Sequence, residues 1–566
     1  MSAANATPPA PPRPLLLLLA ILALHLGLCL WSGPILESSD DLFFAVRSHN
    51  LLEHGFAPAN HPHEHRIGLY APVALIFSQL GVNVSSMALW PLLCSLALVA
   101  ALYWAGARLA GPAAGLAAAL LLAVNPFQII HAMTLTADGP LALFYFLSGL
   151  FLFLGRREPP RATLYALLFV LAFTAGFLTK LPIIWMLPLI LFLLVRDWRA
   201  GEHRRFWGVA IGGGVAAMVV YFGAYAYLFD DPLMRFHSVE KVINVAPEDA
   251  NLQGQRLTIR GKPLEFLVER LTSGPVMLIL ERQGLSLAWL LWLPALLLTL
   301  IRSRVMPRGS GFWVGHALSF LLLFWFGSTS LSEYNPVGLL GYYLVPLLAP
   351  FSLLGGVLLA RAMTPPEAPR AIPWTLAGLS LYLIALLPLL QKLGAHKIHI
   401  LLLAAVLMML LVYRLLAPRV TLLDRVPPAL PIGAVALGLI ATPALLLARG
   451  QIGPFPYQAA EQRIIQSHFA QLDAPTALVS DPRTLDTARL YLGLKPPADL
   501  TLADWRDIDT LLSRADAAPL YVLLNDARIK AMGSTYGQMA PQQFAALTAQ
   551  WRKVESQSGV TLYQAH

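Results

Sequence analysis

The sequence predicts an α-helical polytopic membrane protein of about 13 transmembrane helices, followed by a small C-terminal α/β domain outside the membrane. Three observations carry this expectation. Of the 566 residues, 57% are hydrophobic and only 13% are charged, against about 25% charged in ordinary soluble domains, and the mean hydropathy is +0.63. The apolar residues fall into separate blocks of roughly 17 to 25, each long enough to cross about 30 Å of hydrocarbon as a helix, which excludes a single anchor carrying a large ectodomain. Beyond residue 448 the pattern changes to short strand-like and helix-like runs. The blocks do not alternate, so a β-barrel is excluded too. Cys29 and Cys94 lie inside apolar runs, which excludes a disulfide framework and a cysteine metal site.

Read against glycine, proline and charged breaks, the spans fall near 14–33, 84–109, 112–130, 138–154, 163–179, 182–195, 207–229, 275–301, 312–330, 341–360, 372–390, 398–416 and 429–448. The first follows a proline-rich tail and ends at WSGPILESSD without a small-residue cleavage site, so it reads as a retained helix. Placing the N-terminus in the cytoplasm puts Arg108, Arg156, Arg157, Arg161, Arg196, Arg199, Arg204, Arg205, Arg302, Arg304 and Arg308 in cytoplasmic loops. The short loops on the far side then hold only Arg47, Arg66, Lys180, Lys392 and Lys397. The net charge of +9 is spread among these loops and forms no nucleic-acid face.

Three polar segments are left outside: a first loop at 34–83, a loop at 230–274 and the tail. The expected division is a membrane module, 1–448, and a soluble extracytoplasmic domain, 449–566. In the tail TALVSD, YVLLND and VTLYQA read as strands, and TLDTARLYLG and PQQFAALTAQWRK as helices. Heptads and repeats of 20 to 50 residues are absent from the sequence.

Chemistry is sought in those external segments. In ESSDDLFFAVRSHNLLEHG the acids Glu37, Asp40 and Asp41 directly follow a span. Leu42, Phe43, Val46, Leu51 and Leu52 suit a short helix on the membrane surface. A carboxylate fixed there can act as a base or hold a divalent cation, although acids in a first turn also simply stabilise a helix. His61, His63, Glu64 and His65 crowd beside Arg66 and are weak candidates for metal ligands, their spacing matching no standard site. Arg66 itself could meet a lipid phosphate or merely anchor the loop.

Asp138 opens the fourth span and Lys180 sits between two others. Ionisable groups at such depth face an interior and find partners, so the two either form an ion pair or hold an anionic head group between them. The 230–274 loop carries Arg235, His237, Glu240, Lys241, Arg256, Arg260, Lys262 and Arg270, a basic lid suited to a phosphate-bearing lipid. Nucleotide motifs are missing: there is no GxxxxGK[ST], GGG at 212–214 lies inside a span, and Asp507 and Asp509 read as the capped start of a helix.

Taken in order, the acidic pair, the loop ending in Arg66, WAGARLAGPAAGLAAALLLAVNPFQIIHAMTLTADGPL, GFLTKLP and GYYLVPLLAPFSLLGG resemble the GT-C fold glycosyltransferases of the protein-mannosyltransferase and aminoarabinose-transferase type, over about residues 34 to 360. The resemblance implies inverting transfer of a sugar from a polyprenyl-phosphate carrier to a lipid, glycan or protein acceptor, at the outer face of a bacterial inner membrane. It gives Asp40 the catalytic or acceptor-orienting place, with Asp41 beside it. It implies cations around the leaving phosphate, for which Arg66, Lys180, His237 and Lys241 are candidates. Tyr342 and Tyr343 would line the site with Asp138. A divalent cation is a candidate cofactor.

The residues fit such chemistry in their own right. A sugar phosphodiester already has a good leaving group, so the protein must supply an aligned nucleophile, a base and cations. A transporter or flippase of lipid-linked saccharides is the rival reading; the inverted repeats and midplane ionisable pairs expected of one are not evident. A ligase or polymerase of lipid-linked oligosaccharides would differ only in its acceptor.

Overall fold

The computed structural model describes residues 13–37, 39–58, 61–243, 268, 270–272, 283–301, 305–328, 337, 341–363, 378, 404–405, 408–409, 411–413, 415–416, 429–512, 519–526, 528 and 548–565. The span expected at 372–390 falls almost wholly outside these and about half of that at 398–416 does, as do most of the 230–274 loop and the start of the helix expected from Pro541.

The membrane part runs α1 (Arg13–Ser32), α2 (Asp40–His54), α3 (Ile67–Leu80), α4 (Val84–Ala110), α5 (Pro112–Ala123), α6 (Pro126–Met133), α7 (Asp138–Arg157), α8 (Ala162–Thr179), α9 (Leu187–Ala200), α10 (Arg204–Phe229), α11 (Met234–Ile243), α12 (Gln283–Ile301), α13 (Ser310–Phe326), α14 (Leu348–Met363) and α15 (Ala429–Ala448). Among the described residues four 3₁₀ turns interrupt it, at Pro62–His65, Pro159–Arg161, Leu181–Met186 and Gly341–Leu347. Every expected span on described residues coincides with a helix. Among those residues 7 helices are long and apolar enough to cross a membrane, or 8 if one bent pair counts as a span. Shorter apolar helices lie at Ile67–Leu80, which matches no expected span, and at Leu291–Ile301, Ser310–Phe326 and Gly433–Ala448.

Small residues let the central helices touch. A Cβ on Gly115 of α5 would lie 2.4 Å from the Tyr103 carbonyl of α4, and one on Gly356 of α14 would lie 2.4 Å from the Ala118 nitrogen of α5. Lipid tails are as apolar as leucine, so close backbone approach, rather than hydrophobic burial, holds such helices together.

The span expected as continuous at 112–130 is broken, α5 and α6 meeting at 63°. Pro126 cannot continue the helix, and Asn125 caps α6 by accepting from the Phe127 and Gln128 amides at 2.9 and 3.3 Å. The break frees the Ala123 carbonyl inside the bundle. His25 of α1 repairs it: Nδ1 donates to Ala123 O at 2.7 Å, and Nε2 accepts from the Ser95 hydroxyl, also at 2.7 Å. A carbonyl can only accept, so the proton resides on Nδ1.

Replacing His25 with Leu is therefore expected to cost about 1–3 kcal/mol, the penalty of leaving that carbonyl unsatisfied. The midpoint of thermal inactivation in detergent checks it. An unchanged midpoint would show that the carbonyl has another partner.

The tail is an α/β layer with α16 (Pro456–Phe469), β1 (Thr476–Ser480), α17 (Pro482–Tyr491), β2 (Leu500–Asp504), α18 (Ile508–Leu512), β3 (Leu520–Asn525), β4 (Arg552–Gln557) and β5 (Val560–Ala565). The sheet order is β2-β1-β3-β5-β4. Strands β2, β1 and β3 are parallel, with Thr476 opposite Leu500 and Ala477 opposite Leu520, while β5 runs antiparallel to β3 and β4. A two-residue turn joins β4 to β5, with Ser558 and Gly559 both at positive φ, the geometry that matches the twist of a hairpin. The expected strands are β1, β3 and β5. Strands β2 and β4 escaped notice, and Arg552 and Lys553, read as helical, begin β4.

One apolar core joins the tail to the first loop: Leu36, Leu42, Phe44, Val73 and Phe77 pack with Ala460, Ile464, Phe469, Leu490 and Tyr491. The C-terminal domain is thus seated on the loop that follows α1.

Candidate functional site

Four elements converge at the end of the bundle beside the first loop. Helix α8 stops at Lys180, which is extended (φ −158°, ψ 136°) ahead of the turn carrying Pro182, and α7 starts at Asp138. Lys180 Nζ lies 2.6 Å from Asp138 Oδ1, and both residues are 5% exposed. The same ammonium lies 4.3 Å from the ring centre of Tyr343 and 5.3 Å from that of Tyr342. Electron-rich faces and one carboxylate thus compensate its burial. Trp185 and Phe324 stand behind Tyr343 at 6.3 and 6.2 Å. Of the two arrangements the sequence left open for these residues, the ion pair is formed, with the two tyrosines packed against it.

Arg66, half-buried between the 3₁₀ turn at Pro62–His65 and α3, lies within electrostatic reach of Asp40, Asp138, Tyr343 and Arg235, with its guanidinium carbon 5.3 Å from the Phe44 ring. Asp40 opens α2 with its side chain 55% exposed, and one oxygen lies 3.8 Å from His63 Nδ1.

Burial, reinforced by Arg66, His61 and Lys180, pulls His63 down to about 2. It therefore stays neutral in the folded protein, while the unfolded chain takes up a proton below the ordinary 6.5. More protons bound to the unfolded state means stability lost as the pH falls. Between pH 7.5 and 5.5 this group should cost wild type about 1.4 kcal/mol that His63→Gln does not lose. Denaturation midpoints of the two proteins across that range test it, and parallel profiles would mean His63 is charged in place.

Asp41, expected beside Asp40 as a second catalytic carboxylate, is used differently. It is 1% exposed, and its carboxylate accepts the amides of Glu37, Ser39 and Leu42 at 2.6, 2.7 and 3.0 Å. An anion saturated by backbone donors at a helix start is a cap. The predicted surface helix exists as α2, but it buries Leu42, Phe44 and Ala45 and leaves Val46 and Leu52 exposed.

The four weak metal candidates do not assemble. Glu64 is ion-paired with Arg47, His65 Nδ1 lies 3.1 Å from the Tyr225 hydroxyl, and the His61 ring accepts the His63 amide at 3.3 Å. The tight 3₁₀ turn sends successive side chains in different directions. Among the described residues three ligand atoms come together only at Asp197, Glu202 and His203, toward the arginine-rich end. There Asp197 is held by Arg156 at 2.6 and 2.8 Å and by the Trp207 indole at 3.0 Å.

Of the cations expected in the 230–274 loop, His237 points outward and lies 2.8 Å from Asp231. The Lys241 side chain and residues 244–267 fall outside the described residues, so the lid does too. Arg270 is buried, its guanidinium donating to the carbonyls of Phe324, Trp325 and Val337. Arg235, one of the cations of the basic lid, is not among the residues that the resemblance picks for the phosphate. It is 2% exposed, donates to the Phe177 carbonyl at 2.7 Å, and lies near Arg66. Arg235 and Ser238, three apart, share the buried side of α11, and His237 lies off it. Anchoring the helical phase on the apolar Phe236, Val239 and Val242 would have separated Arg235 from His237.

The cluster thus sets three cations, Arg66, Lys180 and Arg235, against two carboxylates, Asp40 and Asp138, with a neutral imidazole and two phenols alongside. Such an excess of positive charge beside an exposed carboxylate suits an anion and a base acting on a neighbouring hydroxyl.

Residues 68–225 match the family of dolichyl-phosphate-mannose-protein mannosyltransferases. Among solved structures, ArnT from Cupriavidus metallidurans bound to undecaprenyl phosphate superposes with a TM-score of 0.60 at 16% identity, covering 98% of each chain. The apo form of the same protein gives 0.57 at 17% identity over 97% of each chain. No curated protein sequence matches. Agreement along nearly the whole of both chains shows that this chain has the GT-C-type fold, an α-helical polytopic membrane bundle with a small C-terminal sheet domain.

Proposed function

We propose that the protein is an inverting membrane glycosyltransferase that moves a sugar from a polyprenyl-phosphate carrier to a lipid, glycan or protein acceptor. The observation that carries this reading is the surplus of buried cations around Asp138 and Lys180 directly beside the exposed carboxylate of Asp40. The fold supports it: a similarly folded chain binds undecaprenyl phosphate, and the matched family is named for a dolichyl-phosphate sugar donor.

In this mechanism the acceptor hydroxyl attacks the anomeric carbon from the side opposite the phosphate. Its proton passes to Asp40, the bond from the anomeric carbon to the phosphate oxygen breaks, and polyprenyl phosphate leaves with the bonding pair. Arg66, Lys180 and Arg235 neutralise the charge that grows on it, in surroundings where water screens little. Lys180 keeps Asp138 on one of its three donors and offers the others. Asp138 holds that lysine in place, and Tyr342 and Tyr343 wall it from lipid. His237 and Lys241 remain candidates for the outer approach of the donor, whose isoprenoid tail stays in the membrane.

The sidedness follows the arginines: the loops rich in them face the cytoplasm, and the first loop and tail face outward across a bacterial inner membrane. Membranes bearing the protein should transfer radiolabel from a polyprenyl-phospho-sugar to an endogenous acceptor with inversion at the anomeric carbon. Transport of the intact donor without cleavage would favour the flippase reading instead.

A further inference from the structure

We propose that the C-terminal α/β domain belongs to the catalytic apparatus, with Gln458 and Tyr491 as positioning residues that fix the turn at 35–42 and thereby aim the Asp40 carboxylate. The proposal rests on the reading of Asp40 as the base.

Open α/β sheets usually hold ligands beyond the carboxyl ends of their parallel strands, where successive connections turn opposite ways. In the order β2-β1-β3 that point lies between β1 and β3. Here the protein's own side chains fill it. Asp481 follows β1, Asn525 ends β3, Arg528 comes just after, and Glu461 of α16 closes the gap. Arg528, 1% exposed, lies 2.8 Å from Glu461 and donates to the Thr484 and Thr487 hydroxyls at 3.1 and 3.2 Å. Asn525 donates to Glu461 at 3.2 Å and accepts the Arg528 amide at 2.9 Å. Tyr457 lies over the guanidinium at 5.5 Å. A crevice closed by its own ion pair locks α16 and α17 to the sheet, making them a rigid platform rather than a ligand site.

That platform grips the turn before Asp40. Gln458 of α16, 5% exposed, donates its amide to the Leu36 carbonyl. Tyr491, the last residue of α17, places its hydroxyl 3.5 Å from the Gln458 carbonyl and lies within electrostatic reach of Asp41. From the bundle side, the Met133 carbonyl of α6 accepts the Ile35 amide at 2.9 Å. From within, Asp41 gathers the Glu37, Ser39 and Leu42 amides. Apolar contact would seat the domain on the loop without directing any backbone group. A buried amide on the Leu36 carbonyl does direct one, and Asp40 follows four residues later.

The test uses the full chain in lipid nanodiscs. Gln458→Leu keeps the volume and removes the donor. Loss of one buried hydrogen bond corresponds to about tenfold. Amides in 33–44 should therefore exchange deuterium about tenfold faster, and kcat should fall about tenfold while donor KM stays within about twofold. Exchange in β1, β3 and β5 should not change. Tyr491→Phe should shift both readouts the same way by less, and it stands in if Gln458→Leu disturbs the sheet.

Unchanged exchange in 33–44 in either variant that keeps the sheet intact overturns the proposal, whatever the activity. So does faster exchange with unchanged kcat. If exchange rises as expected but wild type transfers no sugar, the grip on the turn is upheld and the reading of Asp40 is what fails.

Discussion

Asp40→Asn is expected to lower turnover by about 10²–10⁴-fold, with donor KM close to wild type. Asparagine fills the same space at the start of α2 but cannot take the acceptor's proton. The side chain is 55% exposed, and Arg66 and Lys180, the cations in its reach, both keep Asp138 when its charge is lost. The variant should fold as wild type does. Asp41→Asn should behave in the opposite sense, because its carboxylate serves three backbone amides. Its expected cost is about 1–3 kcal/mol of stability, with a smaller loss of kcat arising from a loosened turn. Steady-state transfer and thermal midpoints for both variants separate the two acids. Near-normal turnover in Asp40→Asn would remove the base from the mechanism.

The second large effect concerns the Asp138 and Lys180 pair. Lys180→Ala leaves a buried carboxylate without its partner, which typically costs about 3–5 kcal/mol, so on its own this variant cannot distinguish a misfolded site from a missing phosphate ligand. Asp138→Leu combined with Lys180→Met can. Replacing both charges with apolar groups of similar size is commonly neutral for stability, so the double variant should unfold near the wild-type midpoint. It should nevertheless bind donor about 10- to 100-fold more weakly, the worth of one charge-assisted hydrogen bond to phosphate. Titration of the purified protein with a short-chain polyprenyl phosphate measures this. A double variant that is stable and binds normally would reduce the pair to a structural tie.

The pairing of Asp138 with Lys180 was one of two readings open in the sequence, since the bilayer makes an isolated charge costly and an anionic head group could also have met that cost. Tyr342 and Tyr343 were named as lining residues only because GYYLVPLLAPFSLLGG resembles the GT-C glycosyltransferases, and their rings do face that lysine. The choice between His237 and Arg235 was readable only through the helical phase of Phe236, Val239 and Val242. The two lie two residues apart, about half a helical turn, so one is buried and the other exposed. The run of His61, His63, Glu64 and His65 looked like a ligand cluster because sequence proximity says nothing about direction within a 3₁₀ turn.

Composition and the length of the apolar blocks were enough to determine a polytopic helical bundle, since hydrocarbon thickness and the need to satisfy every backbone group leave few alternatives, and the short strand-like and helix-like runs beyond residue 448 indicated an α/β tail. The order of acids, cations and tyrosines along the chain also indicated which end of the bundle gathers them. Tertiary structure decided which of two adjacent aspartates is open and which is a cap, that Arg235 joins the cluster, that α5 and α6 part at a repaired break, and that the tail sits on the first loop. Each depends on where a side chain points relative to groups tens or hundreds of residues away, and local pattern carries no information about direction across such distances.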